Sequence, residues 1–228
     1  MWASRNGHID VVKFLVENGA YIHYKRNYAL KWSSINGHVE VVNYLIDKGA
    51  FIYWNNCEAF MWSSSNGHVE IVKIFIQKGV DIHIDDDYAL NLSSYHGHID
   101  VVRILIENGA NIHSDNDYAL RHSSKNGHIE VVKFLIEKGA NIHADDDGAL
   151  KLSSRCGHVE IVKFLVENGA NIHVDNDYAL IISSSNGHID IVKFLINSDL
   201  EYYSENEIAK NIVIKHNLIE FYEKFNIK

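Results

Sequence analysis

The chain has 228 residues, no proline, two cysteines and a formal charge of −9. That charge argues against a nucleic-acid phosphate partner. No apolar run approaches the roughly 18–20 residues of a membrane helix, and the opening "MWASRNGHID" has neither the basic n-region nor the apolar h-region of a signal peptide.

Taken in order, the elements repeat. Gly-His recurs at Gly7–His8, Gly37–His38, Gly67–His68, Gly97–His98, Gly127–His128, Gly157–His158 and Gly187–His188, every step being 30 residues. A fixed period of this size marks a stacked-repeat protein. Residues 1–24 read as a partial unit that starts inside a first helix. Full units follow at 25–54, 55–84, 85–114, 115–144, 145–174 and 175–204. Residues 205–228 keep the period, lose Gly-His and put Val213 and Ile214 where small serines stood, which reads as a degenerate C-terminal cap. The whole of 1–228 is thus expected to form a single solenoid.

The unit at 117–139, "DYALRHSSKNGHIEVVKFLIEKG", predicts two helices. Asp117 stands where an N-cap belongs. Leu120, Ser123 and Ser124 share one face at i, i+3, i+4, and the small serines let another helix come close. Gly127 suits a left-handed helix end. In the second helix Glu130, Lys133 and Glu137 form one charged stripe, and the remaining faces are apolar. A single unit cannot bury that much apolar surface, so units must stack.

These segments resemble ankyrin repeats. The family carries T-P-L-H-x-A-A, G-H-x-x-V-V-x-x-L-L and G-A-D-x-N, and this chain has "YALRHSS", "GHIEVVKFLI" and "GANIH". It departs at Tyr118 and Ala119, which replace the family's Thr and Pro, and its unit is three residues shorter than the family's 33. The missing residues fall where the family places its β-hairpin tip. The expected fold is therefore all-α: an ankyrin-type solenoid of stacked helix-turn-helix repeats with shortened connecting loops. The 30-residue form is similar to the ankyrin paralogues of giant amoeba viruses. The resemblance implies a protein–protein interaction module that acts as a monomer and binds a protein partner, with no small-molecule substrate and no cofactor. It leaves two further readings open, a structural or decoy paralogue and the substrate-recognition part of a ubiquitin-ligase system. Cys57 and Cys156 lie about three units apart, beyond disulfide reach, which fits a reduced cytoplasm, that of a host cell.

Three residue sets invite a chemical reading. Fifteen histidines raise the question of a metal, but most recur once per unit in the Gly-His slot or the "IH" slot. Copies a repeat apart are roughly 10 Å distant by helix packing, and ligands of one zinc, each about 2 Å from the ion, must nearly touch. Hydrogen bonding within the fold is the expected role, and no metal is expected. The second set is an acidic ridge of Asp85, Asp86, Asp87, Asp115, Asp145, Asp146 and Asp175, suited to a basic partner or simply to helix capping. The third is aromatic. All four Trp fall in the first third, and Trp2, Trp32 and Trp62 share one slot that later holds Leu92, His122, Leu152 and Ile182. The stretch "FIYWNNCEAFMW" at 51–62 replaces acids with large rings. Tyr24, Trp32, Trp54, Met61, Trp62 and Tyr95 are the candidate partner-binding residues, since aromatics and Met are enriched in interface cores. By resemblance their face borders the family's concave groove. No G-x-S-x-G, P-loop or H-E-x-x-H motif occurs, and an enzyme is not expected.

Overall fold

The computed structural model describes residues 1–52 and 57–227, apart from the side chain of Arg26. Every regular element among them is helical. The helices come in pairs: α1 (Trp2–Arg5) with α2 (Ile9–Glu17), α3 (Tyr24–Ile35) with α4 (Val39–Asp47), α5 (Glu58–Ser65) with α6 (Val69–Gln77), and α7 (Ile84–Tyr95) with α8 (Ile99–Glu107). Then follow α9 (Ser114–Lys125) with α10 (Ile129–Glu137), α11 (Ala144–Cys156) with α12 (Val159–Glu167), and α13 (Val174–Ser185) with α14 (Ile189–Ser198). The last elements are α15 (Leu200–Glu205), α16 (Glu207–Lys215) and a 3₁₀ turn at Ile219–Phe221.

Two compact units are distinguished, Met1–Ala119 and Leu120–Lys228, and the division falls inside α9. In the first, α1, α3, α5 and α7 pack side by side in chain order, and so do α2, α4, α6 and α8. Leu30, Phe60 and Leu90 fill equivalent slots of the first helices, Leu45, Phe75 and Leu105 those of the second helices, and all six are buried. Ser33, Ser34, Ser63, Ser64, Ser93 and Ser94 are completely buried. The second unit repeats the scheme with Leu120, Leu150 and Leu180, and with Leu135, Leu165 and Leu195.

Glycine ends the helices as the spacing predicts. At Gly37 (φ +77°) the amide donates to the Ser34 carbonyl, and the His38 amide donates to that of Ser33. This pair of bonds is the Schellman closure. A Cβ on Gly37 would also lie 2.8 Å from the His68 ring, so the next unit's imidazole depends on this glycine. That ring bonds through Nε2 to the Ile35 carbonyl at 2.8 Å. His38, His98, His158 and His188 make the same bond 33 residues back, to Arg5, Ser65, Lys125 and Arg155. At these five positions the Gly-His pair ties a repeat to the one before it.

The shortened loops hold a correction. Asp85–Asp87, Asp115–Asp117, Asp145–Asp147 and Asp175–Asp177 are each three successive residues in the left-handed region. Such residues cost about 1–2 kcal/mol each for most side chains, and Asn and Asp tolerate the region best. That accounts for three Asp or Asn per loop, which capping alone does not. In the triplets at 85–87, 145–147 and 175–177 the last Asp does not cap the following turn with its side chain. Asp87 accepts from His83 Nδ1 at 3.1 Å and from the backbone amide of Asn111, in the next loop, at 2.9 Å. Asp147 does the same with His143 and Asn171. Side-chain caps do occur where the left-handed triplet is absent: Asp199 caps α15 and Asn206 caps α16.

Candidate functional site

The tryptophan slot lies on the side of the first helices opposite the buried serines. Trp2 is 71% exposed, Trp62 is 43% exposed, and Trp32 is partly covered. Trp32 is covered by what the helical spacing aims at it. Tyr28, four residues earlier on α3, brings its ring centroid to 5.7 Å. Arg5 of α1 lays its guanidinium 4.6 Å from the Trp32 ring centre, a cation–π stack. Met1, Trp2, Arg5, Tyr28 and Trp32 together line a groove. The Trp32 indole N–H is buried and has no acceptor. Arg5 makes no side-chain hydrogen bond or ion pair among the described residues.

The aromatic candidates divide. Trp32 and Trp62 are on this face. Tyr24, 54% exposed, lines a different hollow with Met1, Tyr21, Ile22 and Ala29. Tyr95 is half-buried and meets its neighbour His96 edge-on at 5.0 Å. Met61 does not belong to an exposed patch: it is 6% exposed. Its slot on α5 is flanked by α3 and α7, and Asn91 in the same slot of α7 is buried too. A flexible thioether fills such a seam well. Trp54 lies outside the described residues. Arg5 and Tyr28 were not among the candidates, although their spacing from the Trp slot placed both beside it.

The acidic set also divides. Asp87 leaves the ridge, because it is buried and holds two loops together. Asp145 is paired with Arg121 at 3.3 Å and Asp175 with Lys151 at 2.8 Å, in each case with the preceding first helix. Asp85, Asp86, Asp115 and Asp146 face solvent. Among the described residues no three His, Cys, Asp or Glu side chains converge as metal ligands. Four "IH" histidines bond to the loop Asp four residues on, and His23 bonds in the same way to Asn27. Both cysteines are free thiols, and burial, then Asp81 and Asp85, push the Cys57 thiol up from its ordinary value. No described helix is long and apolar enough to cross a membrane.

Paired helices, glycine closures and a histidine that reaches back to the previous unit define a helical-repeat protein. The family "Ankyrin repeats (3 copies)" matches residues 1–86, 60–146, 90–176 and 143–207, and the chain belongs to that family. The fold is also similar to the crystal structure of the human ASB11 ankyrin repeat domain, with a TM-score of 0.75 at 20% identity, over 86% of this chain and 95% of that one. No curated protein matches the sequence at a significant level. Ankyrin repeats are in general non-catalytic modules for protein–protein interaction.

Proposed function

We propose that the chain binds a protein partner through the tryptophan-bearing face of its first helices within 1–119. The observation that supports this is the Trp slot. Stacking is satisfied there by Leu92, His122, Leu152 or Ile182, so the fold does not require an indole, yet three successive units carry one. Trp62 leaves much of its ring in water, where it costs solubility and contributes little to the core. The 30-residue period and the absence of proline support a place among the ankyrin paralogues of giant amoeba viruses, and two free thiols fit a reduced host cytoplasm.

Affinity capture from a host extract supplies candidate partners, and each is then bound to purified wild-type chain and to Trp62→Ala. A partner on this face loses about 30-fold in affinity, the scale of an interface hot spot. Equal affinity of every captured protein for both chains would sink the proposal.

A further inference from the structure

The groove between α1 and α3 has a chemistry of its own. Its walls are the rings of Trp2, Tyr28 and Trp32, with Met1 at one end. Its one charged side chain is Arg5, over the Trp32 ring at 4.6 Å. The cation–π contact uses none of the guanidinium's planar fork of N–H donors as a hydrogen-bonding group. No described residue accepts from that fork, and the buried indole N–H of Trp32 also lacks an acceptor. Three basic side chains of the first helices are paired, Lys31 with Glu58 at 2.6 Å, Arg121 with Asp145 and Lys151 with Asp175, whereas Lys125 and Arg155, in the slot of Arg5, make no ion pair among the described residues and have no tryptophan to stack on. The local charge balance is distinct as well. Residues 1–60 carry six Lys or Arg against five Asp or Glu, while the chain as a whole carries 21 against 30.

We propose that this groove docks an acidic peptide segment of a partner, with one Asp or Glu carboxylate on the Arg5 fork and adjacent apolar side chains against Trp2 and Trp32. The proposal rests on the tryptophan face being the binding face and names the partner's chemistry. A carboxylate matches the fork in a two-bond geometry, and aromatic walls suit the apolar neighbours such a residue has in a peptide. A nucleic-acid strand would also stack on rings beside an arginine, but it brings many phosphates to a chain of formal charge −9.

The test is selection of a displayed random dodecapeptide library on the full chain, followed by titration of synthetic peptides against Trp fluorescence. Selected peptides should share an Asp or Glu next to an apolar residue. Arg5→Gln should weaken them at least 10-fold, and changing that peptide acid to its amide should cost as much. On the amide peptide Arg5→Gln should have no further effect. Arg155→Gln, in the same slot of a later unit, should leave binding unchanged. Among the described residues the Arg5 side chain makes no hydrogen bond or ion pair, so Arg5→Gln should remain folded, with a melting temperature lowered only by the loss of its stack on Trp32. Peptides without an acid that still lose binding in Trp62→Ala would overturn this proposal and leave the tryptophan face standing. Peptides indifferent to Arg5, Trp32 and Trp62 would overturn both. An empty selection, or a dT oligonucleotide that binds and is lost in Arg5→Gln, would overturn the acidic-peptide assignment.

Discussion

Phe60 and Trp62 stand two residues apart on α5, and one is completely buried while the other is 43% exposed. Phe60 meets Phe75 edge-on at 6.2 Å and holds the slot that Leu30, Leu90, Leu120, Leu150 and Leu180 hold elsewhere. Trp62 holds a slot that ranges over Trp, Leu, His and Ile. The difference shows how to read a repeat. A slot whose occupant scarcely changes is dictated by its neighbours in the stack. A slot that drifts in size and polarity is free of them, and an indole retained there answers to something outside the stack. Phe60→Ala is the harshest trial of this contrast. It should cost roughly 3–5 kcal/mol in denaturant unfolding, the range for a buried Phe truncation. A loss under about 1 kcal/mol would mean that the slot is not core.

The next effect sharpens the contrast at the loops. Asp147 and Asp177 are the same residue of successive triplets, but their partners differ. Asp147 accepts from His143 and from the Asn171 amide. Asp177 accepts from His173, from the hydroxyls of Tyr202 and Tyr203 and from Asn206 Nδ2, and so joins the terminal helices to α13. Removing it strands a buried tyrosine hydroxyl and three other donors, each left at a cost of up to about 1–3 kcal/mol. Asp177→Ala should therefore destabilise by about 2–4 kcal/mol and exceed Asp147→Ala. Tyr203 adds a pH signature. Burial, then the charge of Asp177, raise its pKa. Its stabilising contribution is intact below the ordinary tyrosine value, about 10, and is lost as pH rises from there through the raised value. Tyr203→Phe should flatten the fall in stability above pH 10, as read by urea unfolding at stepped pH.

The paired helices, the buried Leu and Ser slots and the glycine closures were legible in the sequence because each recurs at a fixed offset. The loops were misread because Asp and Asn serve two purposes. The same residues that cap helices also tolerate the left-handed region, and only the packed neighbours decide between them. One signal was present all along: a His four residues before the last Asp, as in His83 and Asp87, which the fold joins at 3.1 Å. Met61 was misread because a single unit's composition does not reveal which flank of a helix its neighbours cover. Arg5 was legible as a slot but not as a partner of Trp32, since that contact crosses from one repeat to the next.

A smaller effect separates two adjacent serines. Ser153 Oγ donates to the Leu150 carbonyl at 3.1 Å, whereas the buried Ser154 hydroxyl has no partner. A made hydrogen bond contributes about 0.5–1.5 kcal/mol net, and an unmade buried one is a cost. Ser153→Ala should destabilise by about 1 kcal/mol, and Ser154→Ala should be neutral or stabilising. The same sign for both in thermal melts would mean that the hydroxyls are equivalent.

The smallest effect on stability carries the most weight for function. Trp62→Ala should change unfolding free energy by no more than about ±0.5 kcal/mol, as surface substitutions do, although it removes the largest side chain on α5. The ring leaves 43% of itself in water, and Leu or Ile at the same slot supports later units equally well. Trp32→Ala is the internal control. That ring is covered by Tyr28 and Arg5, so its removal uncovers two neighbours and should cost about 1–2 kcal/mol, between the surface and core ranges. If Trp62→Ala costs as much as Trp32→Ala, the indole is a packing element and the tryptophan face loses its claim to a partner. If Trp62→Ala leaves folding untouched and still abolishes binding of a captured partner, stability and function have been separated on one helix, two residues from Phe60.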